Sequence, residues 1–118
     1  MNAELAKFES AGVLKGAYDE IGDSKKGNRQ YDIMESIYLL LKKENRLEEM
    51  LELLGPAKNL YVRASAARYA LQLFPREAEK TLEDLAKLWN ESMCITERSV
   101  AFNAKMVLQE WKKGNLTF

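Results

Sequence analysis

The 118-residue chain has no histidine and a single cysteine, Cys94. Without imidazole there is no Ser-His-Asp or Cys-His nucleophile pair, no His-ligated zinc and no His switch near neutral pH. One cysteine allows neither an internal disulfide nor a multi-cysteine metal cage. Net charge is missing too: 18 basic side chains balance 18 acidic ones, so no global field draws the chain to nucleic acid or anionic lipid. The halves differ little, nine basic against eleven acidic in residues 1–58 and nine against seven in 59–118. The longest apolar run, Ile37 to Leu41, is five residues, far short of the ~20 that span a bilayer. The start Met1-Asn2-Ala3-Glu4 has no basic-then-apolar leader, and Leu116-Thr117-Phe118 fits no prenylation box. These absences set the expectation of a cytoplasmic protein without a metal, a cofactor or a membrane segment.

What the chain does have is helical periodicity. Its length suits one domain with a core that needs no covalent staple. Apolar residues recur at spacings of three and four, and strict alternation never persists. A first helix is expected from about Ala3 to Ile21, burying Leu5, Phe8, Val13, Leu14, Ala17, Tyr18 and Ile21. Gly12 and Gly16 weaken it and mark a kink or a close helix contact. Asp23 or Ser24 caps a second helix, about Lys25 to Lys43, with Tyr31, Met34, Ile37, Tyr38 and Leu41 inward. Asn45 is the candidate cap of a short third helix, Leu47 to Leu54, closed by a left-handed Gly55 before Pro56. Asn59 caps a fourth helix, Leu60 to Leu73, with Val62, Ala66, Tyr69, Ala70 and Leu73 inward. Pro75 opens a fifth, running to Trp89 through Ala78, Leu82, Leu85 and Leu88. A sixth follows Asn90–Cys94, capped by Thr96 or Ser99, burying Val100, Ala104, Val107, Leu108 and Trp111 and ending at Gly114. The expected class is all-α: about six helices in three antiparallel pairs.

Two segments repeat. Ala67-Arg68-Tyr69-Ala70-Leu71-Gln72-Leu73-Phe74 aligns with Ala104-Lys105-Met106-Val107-Leu108-Gln109-Glu110-Trp111. Upstream, Leu47, Met50 and Leu51 align with Leu82, Leu85 and Ala86. Each unit is a helix, a turn and a longer helix rich in small residues, and neither unit buries its apolar face alone, a problem that stacking solves.

The stretch Leu51-Glu52-Leu53-Leu54, a turn, then Val62-Arg63-Ala64-Ser65-Ala66-Ala67-Arg68-Tyr69-Ala70-Leu71 resembles a HEAT repeat. Its alanines permit close helix approach and its leucines fill the layer between pairs. The linker Pro56-Ala57-Lys58-Asn59 lacks the aspartate that often pairs with the repeat's arginine, so Arg63 is expected to be free or to find another acceptor. With Lys25–Asp32 and Ala104–Trp111 included, the whole chain is similar to a family of small bacterial HEAT-like proteins with no assigned activity. That resemblance implies a short α-α superhelix. Because some bacterial HEAT-like proteins of this size are similar to immunity proteins, it also implies a module that binds and silences one protein partner, a toxin.

Individual residues are weighed against that frame. Cys94 reads as a buried, inert thiol. Glu48, Glu49 and Glu52 can in principle do acid-base work, but Lys42, Lys43 and Arg46 beside them suggest ordinary ion pairs. Trp89 and Trp111 read as core. Asn28 and Arg29, at the first turn of the second helix, suit either an anion or partner carboxylate or, for Asn28, a buried backbone group. Arg68 with Gln72, and Lys105 with Gln109, form matching polar strips on the second helix of each unit, the concave side of a HEAT stack. The expected partner-binding residues are therefore Arg29, Arg68, Gln72, Lys105 and Gln109, with no catalytic and no metal residues. The alternative is a small nucleic-acid-associated protein using the basic groups of Lys25–Arg29 and Arg63–Arg68.

Overall fold

The computed structural model describes residues 3–118; Met1 and Asn2, part of the stretch on which the expectation of no leader rests, lie outside the described residues. Helices form where the periodicity places them: α1 (Ala3–Glu20), α2 (Ser24–Lys43), a 3₁₀ segment (Leu47–Leu53), α3 (Leu60–Ala70), α4 (Pro75–Ala86), α5 (Leu88–Glu91) and α6 (Ile95–Lys112). No strand occurs among the described residues. No helix is long and apolar enough to cross a membrane among those residues.

Caps and left-handed glycines account for four of the boundaries. Asp23 accepts from the Lys26 amide at 3.1 Å and opens α2, and Asn59 accepts from Tyr61 (2.9 Å) and Val62 (3.3 Å) to open α3. Gly22 and Gly114 adopt φ of 75° and 76°, the left-handed conformation that ends α1 and α6 without a Cβ clash. Several boundaries differ from expectation: α3 ends at Ala70 rather than Leu73, and the fifth helix, expected to run to Trp89, ends at Ala86 and is followed by the short α5. Asn45 is not a cap but takes φ 56° beyond α2, and the next segment is a 3₁₀ turn headed by Arg46. Gly55 is not left-handed; Leu54 closes that segment in the right-handed region. α6 begins at Ile95, with Cys94 at its cap and Thr96 and Ser99 inside the helix.

Three pairs pack together: α1 with α2, the 3₁₀ segment with α3, and α4 with α6. α3 touches members of both other pairs, reaching α2 through Tyr69, whose ring stacks on Tyr38, so it sits at the centre. The core has two clusters. Leu5, Phe8, Met34, Tyr38, Leu41, Leu47, Met50 and Val62 anchor the first, and Ala67, Leu71, Leu82, Leu85, Val100 and Leu108 anchor the second. Leu54 packs against both.

The repeat alignment matches in burial at several positions but not all, Tyr69 being buried where its counterpart Met106 is exposed. Leu47, Met50, Leu82 and Leu85 are buried, while Leu51 and Ala86 are half-buried; Ala67, Ala104, Leu71 and Leu108 share the second cluster. Other expected core positions are exposed: Val13, Leu14 and Ala17 on α1, Ile21 just beyond it, Tyr31 on α2, and Leu73. α1 turns its glycines inward instead, with Leu5, Phe8, Gly12 and Gly16 in one buried row. A Cβ at Gly12 would stand 2.8 Å from Val62 Cγ2, and one at Gly16 would overlap the Tyr61 ring. The glycines thus permit close approach of α3 without a kink, and the apolar residues beside them are left outside. Leu73 turns out because α3 ends at Ala70, and Leu71–Leu73 form turns.

Candidate interaction groove

α3 is covered on both flanks but open along one face. Tyr61, Ala64, Ser65 and Arg68 recur at helical spacing along that face. They line a hollow of about 250 Å³ with Gly12, Lys15 and Asp19 of α1, Leu82 of α4, and Val100, Asn103, Ala104 and Val107 of α6. At one end it continues through Asp19, Tyr61 and Asn103 into a second hollow of about 340 Å³. At the other, Ser65 and Arg68 lead into a third of about 220 Å³ against Tyr31 and Met34 of α2. Together they make one groove centred on α1, α3 and α6, with α2 and α4 contributing at its margins. Its floor is small (Gly12, Ala64, Ser65, Ala104), and its walls carry aromatic rings and charges of both signs.

The walls are held by polar contacts. Lys15 pairs with Asp19 at 2.6 Å, and the Thr96 hydroxyl donates to Glu20 at 2.7 Å, tying α6 to α1. Burial, then the nearby Glu20 and Asp19 carboxylates and Cys94, raises the Tyr61 hydroxyl above the ordinary tyrosine range. Arg68 donates to the Thr117 carbonyl at 3.3 Å, and its guanidinium lies 5.7 Å from the Tyr69 ring centre and 5.8 Å from that of Phe118.

The five expected binding residues do not form one strip. Arg68 lies in the groove. Gln72 faces away from it, donating to the Tyr38 hydroxyl at 3.0 Å and the Tyr69 carbonyl at 2.9 Å, beside a separate hollow with Lys42, Asn45, Glu48 and Leu73. Lys105 sits 5.3 Å from the Trp89 ring centre. Gln109 is exposed, and the helical period puts it on the α6 face of Arg98, Phe102 and Lys105. Arg29 is exposed on α2. The repeat register is kept at Ala67 with Ala104 and at Leu71 with Leu108, but α3 stops at Ala70 whereas α6 runs on to Lys112, so equivalent polar residues point to different places.

Other readings change as well. Asn28 is exposed rather than serving a buried backbone group. Cys94 is exposed, not buried. Trp89 and Trp111 are half-buried rather than core, and Trp111 donates to Glu79 at 2.7 Å. Arg63 has the substitute acceptor that its linker suggests, the Leu54 carbonyl at 3.2 Å. Among the acids of the 3₁₀ segment, Glu49 pairs with Arg46 at 2.8 Å, and Arg46 also reaches Glu4 (3.1 Å) and Glu44 (2.5 Å). Hydrogen bonds to those three carboxylates hold the Arg46 guanidinium firmly protonated. No group of three acid or cysteine side chains poised for a metal occurs among the described residues. Tyr61, Ser65 and Asn103 are the groove residues that sequence reasoning missed; for Tyr61, the two glycines four apart were the available signal.

No family model matches the chain, and no curated protein does. Its structure is similar to that of the protein RPA1889 from Rhodopseudomonas palustris CGA009, solved by crystallography. The TM-score is 0.82 over 98% of this chain and 90% of that one, at 22% sequence identity. At that identity the likeness concerns the fold.

Proposed function

We propose that the chain is a non-catalytic, cytoplasmic protein-binding module of HEAT-like build, an immunity-type protein that silences a bacterial toxin by occluding it. The groove across α1, α3 and α6 carries this reading. A small-residue floor between aromatic and mixed-charge walls suits a polypeptide, which offers side chains to fill hollows and groups of both signs to pair. The nucleic-acid alternative draws on Arg63 and Arg68, but each already donates to a backbone carbonyl. With a net charge of zero, little remains to drive phosphate binding.

The test starts from the neighbouring gene: a toxin-like C-terminal domain found there is co-expressed with this chain and the purified pair is titrated by calorimetry, and a neighbour without one contradicts the immunity reading. Growth is restored and a stoichiometric complex forms, with affinity changing only modestly with salt. Failure to bind that domain, together with duplex DNA binding that weakens about a thousandfold between 50 and 200 mM salt, contradicts the proposal.

A further inference from the structure

A second surface lies around α6 from the 250 Å³ hollow and borders the groove's 340 Å³ hollow at Ile95 and Ser99. Met93 is 91% exposed and Ile95 85% exposed, and they adjoin Trp89 and Phe102, whose rings meet at 5.9 Å. These residues, with Arg98, line a shallow depression of about 470 Å³. Single exposed apolar residues are ordinary, but a contiguous cluster holding Trp, Met and Phe has the composition of an interface centre. Its charges are just as specific. The Arg98 guanidinium stands 4.5 Å and the Lys105 ammonium 5.3 Å from the Trp89 ring centre. Neither cation has a carboxylate at ion-pair distance among the described residues. The neighbouring Glu97 is engaged by the Ser92 hydroxyl at 2.8 Å.

We infer that this patch docks an acidic amphipathic segment of a protein partner, with apolar side chains seated on Trp89, Met93, Ile95 and Phe102 and carboxylates paired to Arg98 and Lys105. The inference rests on the protein-binding reading above and adds the chemistry of one contact. Unpaired cations on an aromatic face set the sign: a basic segment would meet repulsion, and a neutral apolar one would leave both cations unanswered.

Cys94, the chain's single cysteine, is exposed between Met93 and Ile95, so an environment-sensitive thiol label reports from within the patch. The probes are three synthetic helical peptides: leucine and phenylalanine anchors with glutamate flanks, the same anchors with lysine flanks, and alanine anchors with glutamate flanks. The first peptide shifts the label's emission and binds about tenfold or more tighter than either of the others. Met93→Ser/Ile95→Ser and Arg98→Gln/Lys105→Gln each weaken it about tenfold, with helical content unchanged, while Arg68→Glu in the groove does not. Equal binding of the lysine-flanked peptide, or no binding of the acidic one, overturns the inference. So does a concentration-dependent dimer in sedimentation that Met93→Ser/Ile95→Ser dissolves, which assigns the patch to a second copy of the chain. Failure of the two readings is distinguishable. Peptide binding without toxin binding sinks only the immunity proposal, and toxin binding that ignores both patch variants sinks only the patch.

Discussion

Tyr69 shows how one side chain ties elements together. It is 4% exposed, stacks on Tyr38 with ring centres 4.2 Å apart, meets Phe8 edge-on at 6.1 Å and donates its hydroxyl to Glu35. Burial first, and then the Glu35 hydrogen bond, raise its ionisation well above the ordinary value of 10.0. Folding therefore favours the neutral phenol. The associated stability is fully present below about pH 10 and is lost as pH rises beyond it. Tyr69→Phe is expected to cost about 1–2 kcal/mol at neutral pH and to shrink the alkaline loss seen in urea melts, leaving the smaller share from Tyr61. An unchanged alkaline limb would refute this assignment. Glu4 works in the other direction, held below 4.5 by a backbone hydrogen bond and then by Arg46. Its contribution is present above that value and lost as pH falls through the folded one. Arg46→Gln should flatten this part of the acid limb, and so should molar salt, because the group is exposed.

The contact of α1 with α3 is where sequence reading and structure diverge most. Hydrophobicity assigned Val13, Leu14 and Ile21 to the core, yet the buried row runs through Gly12 and Gly16. A glycine contributes no apolar side chain, so periodicity alone passes over it, although its spacing of four is legible as a close-approach surface. Gly16→Ala gains helix propensity of about 1 kcal/mol but drives a methyl into Tyr61. A net loss of about 1–3 kcal/mol is expected in chemical melts, and Gly16→Ala with Tyr61→Ala together should cost less than the two singly combined. Additive losses would show that the two residues do not meet. Most helices were legible, because caps such as Asp23 and Asn59 and the breakers Gly22 and Gly114 are local signals, whereas the 3₁₀ segment and the break between α4 and α5 carry no such signal. The polar strip was not. Its alignment of Arg68 with Lys105 and Gln72 with Gln109 assumes helices of equal length, and where α3 stops depends on tertiary packing.

At the scale of the whole molecule, α3 serves two cores at once, and Leu71 lies fully buried in the second. Leu71→Ala should cost about 2–5 kcal/mol, a large share of the ~5–15 available to a domain. A loss under about 1 kcal/mol in denaturant melts would contradict the matched register of Leu71 and Leu108. The same central helix presents the groove, so the rigid core and the proposed binding face share one element. Arg68 and Lys105, equivalent in sequence, serve different surfaces, so each must be altered separately. The most direct test is calorimetric titration of the proposed toxin partner into three versions of the chain, each checked by circular dichroism. These are the natural sequence, Arg68→Glu/Asn103→Glu in the groove, and Glu48→Lys/Glu52→Lys on the acidic ridge of the 3₁₀ segment. The account predicts tight binding by the natural chain, affinity lowered about a hundredfold by the groove variant, and no change on the ridge. Lost affinity on the ridge with an intact response from the groove variant would contradict it.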